Sequence, residues 1–307
     1  MNFLKKEDFL EMKLKKFDFE KEKSRKKAFG RFYSIITICF CICISALFIV
    51  SVEAAEQKSN DSISVYREGR RIIEESRLID SVTYVPLRAF GEEMGAQSIE
   101  WDAKTKTATL KKDALTVKVT NGTSYIDASG RIFYCPTGIK NINDRLFVPV
   151  RAISKAFSYD VEWNGEKRCV LLYENSEPFV SGSRFYDQTD LYWLSRIISA
   201  EARGEPFAGK IAVGNVVINR TRSKSYPDSI YGVIFDRKYG TQFSPVSYGT
   251  IYNTPTAESV LAAKICLEGY TLSDEILFFV NPRYATSSWI SKARPFAFRI
   301  GGHWFYK

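Results

Sequence analysis

The chain of 307 residues is long enough for about two folded domains. Its content of 45% hydrophobic and 26% charged residues is ordinary for globular proteins, which excludes disorder over the whole length. Residues 1–31 carry 11 basic and 6 acidic side chains, more than half of the net charge of +9, so the remainder is too weakly basic to predict a nucleic-acid partner.

Residue types that usually bind metals are scarce. His303 is the single histidine, whereas catalytic zinc sites need two or three imidazoles or a mixed set of cysteine and histidine. Three of the six cysteines share one apolar run, and the other three are far apart without a paired CxxC spacing. We therefore expect no metal, no cofactor and no dense disulfide framework.

Residues 32–52 form a run of 21 residues without a charged side chain. As a helix this run would be about 31 Å long, sufficient to cross a bilayer. Basic residues precede it and acidic residues follow, which predicts a cytoplasmic tail at residues 1–31 and an outer location after about residue 55. The segment is predicted to be a single-pass anchor in the cell membrane. If Val52-Glu53-Ala54 is instead a signal-peptidase site, the protein is secreted to the cell wall.

A near-repeat follows this segment. The sequence YVPLRA beginning at Tyr84 recurs as FVPVRA beginning at Phe147, and an IEW triplet recurs 62 residues later as VEW. Each copy predicts a strand, a proline turn, a short helix and a further strand. Between the copies, Asn121-Gly122 after an alternating segment predicts a hairpin turn. Residues 62–174 are therefore predicted to be mostly β with short helices.

The repeat resembles the copper amine oxidase N-terminal-like domain over residues 62–174. The resemblance implies a non-catalytic stalk module for spacing or wall attachment, and no copper site is expected because this segment has no histidine. Arg88 and Arg151 in the repeated motif either bind an anionic polymer or pair with structural carboxylates. A polar stretch at residues 175–188 predicts a linker to a second domain at residues 189–307.

The second domain opens with a helix from Leu191 to about Arg203, capped by Thr189 or Asp190. Its apolar positions step by three and four residues, and the next step reaches Glu201. Burial on that face would raise the pKa of the carboxyl group and keep a proton available for a leaving glycosidic oxygen. From spacing alone, a carboxylate that caps the helix or pairs with an arginine of the same helix is an equal alternative.

Six motif blocks in order carry a second resemblance. They are EARGEP from Glu201, AVGNVVINR from Ala212, GVIF from Gly232, QFSPV from Gln242, FFVNP from Phe278 and IGGHWFY from Ile300. Residues 190–307 resemble the catalytic domain of the SleB-type cell wall hydrolases, the spore cortex-lytic enzyme family. One departure is Tyr248-Gly249, where Asn-Gly is expected.

This resemblance implies cleavage of peptidoglycan in a lysozyme-like groove, with Glu201 as the catalytic residue. A single carboxylate suffices for lytic transglycosylation, in which the C6 hydroxyl of muramic acid attacks its own C1, whereas ordinary hydrolases need two acids. The expected fold class is α+β. It comprises a membrane anchor helix, a mostly-β stalk domain with short helices, and a mainly helical lysozyme-like catalytic domain with a small sheet from residues 276–281 and 298–306.

Several side chains of these blocks are candidates for substrate binding. They are Gln242, Phe243, Ser244, Asn281, Trp289 and His303. Packing in the core is an equal alternative for Phe243 and Trp289, and a structural role is the simpler interpretation of the histidine. Glu205 is predicted to hydrogen-bond the start of the following helix, and Cys266 to be a small core residue.

The leading hypothesis is a muramidase or lytic transglycosylase that acts on the muramic acid–glucosamine bond of peptidoglycan glycan strands. The alternative is a non-catalytic peptidoglycan-binding or morphogenetic surface protein. A peptidase or amidase is disfavoured because the sequence has no zinc ligand set, no GxSxG turn and no convincing Cys–His pair. Vegetative wall and spore cortex both stay open as substrate, as do hydrolysis and transglycosylation.

Overall fold

The computed structural model describes residues 62–238, 240–285 and 289–307, and the chain from Ser62 to Lys307 packs as one unit. The first elements in chain order are β1 (Ser64–Arg67), β2 (Arg70–Ile73), β3 (Arg77–Ile79), β4 (Val82–Pro86), α1 (Leu87–Glu93), β5 (Ser98–Asp102), β6 (Thr107–Lys112), β7 (Leu115–Thr120), β8 (Tyr125–Ala128), β9 (Arg131–Tyr134), β10 (Lys140–Ile142), β11 (Arg145–Pro149), α2 (Val150–Ala156), β12 (Tyr159–Asn164) and β13 (Cys169–Glu174). The later elements are α3 (Gly182–Phe185), α4 (Gln188–Ala202), α5 (Phe207–Arg222), α6 (Ile230–Phe235), α7 (Ser244–Tyr248), a 3-10 turn (Thr250–Tyr252), α8 (Ala257–Leu267), β14 (Phe278–Val280), α9 (Trp289–Ala293), β15 (Phe296–Ile300) and β16 (His303–Tyr306).

The first thirteen strands are arranged in three sheets. Their strand orders are β12-β13-β1-β2, β10-β11-β4-β3 and β5-β6-β7-β8-β9. Strand β1 runs parallel to β13, with Val65 opposite Val170, so strands from the two ends of this region share one sheet. The mostly-β architecture with short helices that the sequence predicts for residues 62–174 is confirmed.

The two copies of the repeat pair with each other. Strands β4 and β11 are antiparallel, with Val85 opposite Val148, and each strand ends at a proline after which a helix begins. Pro86 and Pro149 suit this junction because proline lacks an N–H for the strand ladder and its fixed φ matches a helix start. The predicted turn at Asn121-Gly122 is also confirmed, with Gly122 at φ +81° between β7 and β8.

Helices α4, α5 and α8 form the core of the second region, and a glycine allows their close approach. A Cβ atom at Gly214 of α5 would lie 2.6 Å from the sulfur of Cys266 in α8 and 2.9 Å from Cδ1 of Ile198 in α4. Both neighbours are buried, which confirms Cys266 as a core residue. Only a residue without a side chain therefore fits where the three helices meet.

Two buried asparagines of α5 fix the segment that precedes β14. The Asn215 amide nitrogen donates to the Tyr270 carbonyl (2.8 Å), and its oxygen accepts from the Leu272 N–H (3.0 Å). The Asn219 amide nitrogen donates to the Ile276 carbonyl (3.0 Å). These bonds satisfy backbone groups of an irregular segment and so hold β14 against α5.

The small sheet has the strand order β14-β16-β15 and is antiparallel throughout. Its position agrees with the prediction, but the single strand predicted over residues 298–306 is wrong. Gly301 has φ +57°, and the chain turns back there, so this segment forms the hairpin β15–β16. The left-handed conformation that such a turn needs is accessible to glycine at no steric cost.

The β-rich region and the helical region share a polar interface. Arg131 of β9 forms a two-pronged ion pair with Glu268, which follows α8, at 2.9 Å (Nε–Oε1) and 2.6 Å (Nη2–Oε2). The Tyr186 hydroxyl donates to the same carboxylate (2.7 Å) and accepts from the Ile132 N–H (3.1 Å). Because both charges are well shielded from solvent, this interface fixes the two regions against each other.

Three local predictions need correction or comment. The helix predicted from Leu191 begins at Gln188, and the predicted cap, Thr189 or Asp190, is wrong. The Asp187 carboxylate caps the helix instead, because it accepts from the N–H groups of Thr189 (2.8 Å) and Asp190 (2.9 Å). The helix that follows, for which the sequence predicts residues 206–219, runs from Phe207 to Arg222. Residues 175–188, predicted as a linker, contain α3 and the buried Tyr186.

The fold class expected from the sequence is corrected in one respect. None of the helices formed by the described residues is long and apolar enough to cross a membrane, so the described fold is α+β without an anchor helix. The predicted anchor segment, residues 32–52, and the predicted tail, residues 1–31, lie outside the described residues.

Candidate active site

Glu201 lies in the last turn of α4, on the side of the helix that faces the core. Ile198 and Leu194, one and two turns earlier on the same stripe, have no exposed surface. Glu201 itself is half-buried, since it stands where the helix leaves the core and the chain turns at Gly204. The stripe predicted from the sequence thus places a carboxyl group at the margin of the core.

Burial raises the pKa of Glu201 to about 7, because removing the carboxylate from water disfavours its charged form. The positive charge of Arg220 acts in the opposite direction with a smaller effect. No hydrogen bond or ion pair joins Glu201 to another described residue. Arg196 instead stacks on Tyr192, 3.6 Å from the ring centre, and Arg203 donates to the Thr254 carbonyl (3.1 Å). The alternative of a Glu201 carboxylate paired with an arginine of its own helix therefore has no support in these contacts.

Arg220, in the last turn of α5, is the charged group that acts on Glu201, and the sequence reasoning missed it. The residue is only 5% exposed, and its guanidinium lies over the rings of Tyr226 (4.8 Å) and Phe243 (5.1 Å). Its Nε donates to the Leu277 carbonyl (2.8 Å), whereas its Nη1 has no hydrogen-bond partner among the described residues. Burial lowers the pKa of Arg220, and the neighbouring Tyr226, Asp236 and Glu201 partly oppose that effect.

Two of the candidate substrate-binding residues are packing residues. Phe243 is 2% exposed, between Arg220 and Phe279, and therefore has no face available for a sugar. His303 is 5% exposed, and its ring lies 5.2 Å from that of Phe279. Burial lowers the pKa of His303, an effect opposed by the charge of Glu205, and its Nδ1 has no partner among the residues that the structure describes.

The other four candidates are more accessible. Gln242 is half-buried and Ser244 exposed, on either side of the buried Phe243, so this motif anchors a surface loop through its aromatic residue. Trp289 is 51% exposed and contacts Phe278 edge-on at 5.9 Å, which leaves much of its indole open.

Asn281 and Glu205 both lie beside Gly302 in the β15–β16 turn. The Glu205 carboxylate accepts from the Gly302 N–H (2.8 Å), 97 positions away, and not from the start of the next helix as predicted. A Cβ atom at Gly302 would lie 2.8 Å from the Asn281 amide nitrogen and 3.0 Å from a Glu205 oxygen. The turn between α4 and α5 is thereby tied to the hairpin, and the glycine leaves room for both side chains.

The contacts connect the motif blocks into one region around Arg220 and the small sheet. Within the described ranges, no group of three or more potential metal ligands is present. Arg88 and Arg151 of the other region are exposed, and neither makes an ion pair with a described residue. The arrangement offers one carboxyl group with a raised pKa, one buried cation and a partly exposed aromatic surface.

Comparison with known proteins agrees with the division of the chain into a β-rich region and a helical region. Residues 204–306 match the family model of the Cell Wall Hydrolase domain, and residues 68–172 match that of the Copper amine oxidase N-terminal domain. The chain therefore contains a cell wall hydrolase domain preceded by a copper amine oxidase N-terminal domain.

The curated relatives are spore cortex-lytic enzymes. That of Bacillus cereus is 36% identical over 137 residues, which are 44% of this chain and 51% of the enzyme. That of Bacillus subtilis is 38% identical over 120 residues, which are 39% of this chain and 38% of the enzyme. The chain thus spans about half the length of the first of these relatives.

Among solved structures, the catalytic domain of the germination-specific lytic transglycosylase SleB from Bacillus anthracis is 37% identical. The match covers 40% of this chain and 97% of that domain, with a TM-score of 0.37.

Proposed function

We propose that this protein cleaves peptidoglycan glycan strands at the muramic acid–glucosamine bond, with Glu201 as the catalytic residue. The observation that carries the proposal is a half-buried carboxyl group whose pKa burial raises to about 7 and which has no partner among the described residues. The match of residues 204–306 to the cell wall hydrolase family supports it.

In the proposed reaction, the Glu201 carboxyl group donates its proton to the glycosidic oxygen as the bond from that oxygen to C1 breaks. The carboxylate that remains is stabilised by the positive charge of Arg220. It then accepts the proton of the muramic acid C6 hydroxyl, whose oxygen attacks C1 and closes a 1,6-anhydro ring. Glu201 ends the cycle protonated, and no second carboxylate is needed.

Hydrolysis differs only in the nucleophile. If water replaces the C6 hydroxyl, Glu201 takes the proton from that water, and a reducing end forms. We favour transglycosylation because, among the described residues, the charged group that shifts the pKa of Glu201 is the cation Arg220. A hydrolase would need a second acid to orient the water or form the covalent intermediate.

The substrate in this proposal lies outside the cell, in the wall or the spore cortex. The curated relatives are named for the cortex, which supports a cortex substrate for this chain. The first region, which carries no candidate catalytic group, then serves as a rigid spacer for the hydrolase domain.

The proposal is tested with the Glu201→Gln variant of the full chain. Gln has nearly the same shape but cannot donate a carboxyl proton, so we expect normal folding, normal binding to insoluble peptidoglycan and no clearing of a wall suspension. Glu275→Gln, at an exposed ion pair with Lys307, is a matched control that should clear the suspension like the wild type. Binding without clearing by the wild type as well would favour the non-catalytic wall-binding alternative.

A further inference from the structure

A recess lies beside the last two turns of α4, on the face next to the one that carries Glu201. It has a volume of about 460 Å³, which is within the range of small-ligand sites. Helix α4 forms one wall, and the 3-10 turn with the two residues after it forms the other. Its lining residues are Arg196, Ser199, Ala200, Arg203, Thr250, Asn253 and Thr254.

The recess is positively charged. Among the described residues, Arg196 and Arg203 are the two ionisable groups that line it, no acid lines it, and the other lining polar groups are hydroxyls and one amide. Two guanidinium groups with neutral hydrogen-bonding neighbours form a favourable environment for an anion, and for a carboxylate in particular, because the planar fork of arginine matches its two oxygens.

Both guanidinium groups are held in place without being neutralised. The Arg196 group stacks on Tyr192 at 3.6 Å, and none of the described residues accepts a hydrogen bond from it. Arg203 donates through Nη2 to the Thr254 carbonyl on the opposite wall, which leaves its charge unpaired. Arginines fixed in this way lose little conformational entropy when they bind an anion.

We propose that this recess binds carboxylates of the stem peptide that is attached to the muramic acid next to the cleaved bond. This inference rests on the proposed function, because a glycan bound at Glu201 would carry its peptide past the same end of α4. Ala200 and Arg203 lie within one helical turn of Glu201, so a peptide branch of one or two residues reaches from one face to the other. The recess would then select muramic acid that carries a peptide.

The test measures binding in the full-length Glu201→Gln background, where nothing is cleaved. The probes are a soluble disaccharide-tetrapeptide with free carboxylates and the same molecule with its carboxylates converted to methylamides. We expect the free acid to bind at least tenfold more tightly, with an affinity that falls as salt rises. Adding Arg196→Gln or Arg203→Gln should weaken binding of the free acid about tenfold, the effect of one charge-assisted hydrogen bond, and leave the methylamide unaffected.

Arg222→Gln is the matched control, since Arg222 is an exposed arginine at the end of α5 that does not line the recess. It should change neither affinity. Equal binding of both probes, or equal weakening of both by the recess variants, would overturn the proposal. Cleavage by the wild-type chain is measured separately, so loss of the proposed function and loss of this site give different results.

Discussion

The pH dependence of stability at Glu201 follows directly from its burial. Its pKa rises from the ordinary value of 4.5 to about 7, so between these values the folded protein binds more protons than the unfolded chain. The contribution of Glu201 to the free energy of unfolding is therefore fully present below about pH 4.5 and is lost as the pH rises through about 7. At about 1.4 kcal/mol per tenfold change in the acid equilibrium, the loss amounts to about 3 kcal/mol.

Glu201→Gln removes this dependence, because the amide is neutral at every pH. We expect the stability of the variant relative to the wild type to increase by about 3 kcal/mol between pH 4 and pH 8. Thermal unfolding of both full-length proteins measures this difference, which corresponds to about 6–12 °C in Tm for a region of this size. Parallel curves for the two proteins across that range would refute the claim that Glu201 is buried as a neutral acid.

Three further outcomes follow from other features. The rate of wall clearing should fall about tenfold per pH unit well above pH 7, since only protonated Glu201 donates, and a rate that keeps rising with pH would contradict this. Glu268→Ala should lower the free energy of unfolding by about 3–5 kcal/mol in urea titrations, because it leaves Arg131 shielded and unpaired, whereas Glu75→Ala at an exposed ion pair should cost at most about 1 kcal/mol. Gly214→Ala should cost about 1–3 kcal/mol by the same titration, and no effect would mean that the three helices are not in close contact.

Features that repeat along the chain could be predicted from the sequence. The stripe that ends at Glu201 depends only on the helical period, which also holds in the structure. The proline turns of the repeat begin helices at Leu87 and Val150 for a local reason, the missing N–H of proline.

Features that depend on distant residues could not be predicted in this way. The Glu205 carboxylate bonds to Gly302, and nothing near residue 205 indicates that partner. Arg220 is part of the motif AVGNVVINR, but the sequence does not indicate its role. The fold places it beside Phe243 and close enough to lower the pKa of Glu201. The hairpin at Gly301 was missed because the apolar alternation continues through it, although a Gly-Gly pair is itself a turn signal.

Analysis of the sugar products tests the central claim most directly. Purified peptidoglycan is digested with the wild-type chain and with Glu201→Gln, and the new glycan ends are identified by mass spectrometry. A single acid at residue 201 predicts 1,6-anhydromuramic acid ends from the wild type and no new ends from the variant. Equal release of glycan ends by both proteins, or release of peptide fragments in place of cleaved glycan, would contradict it.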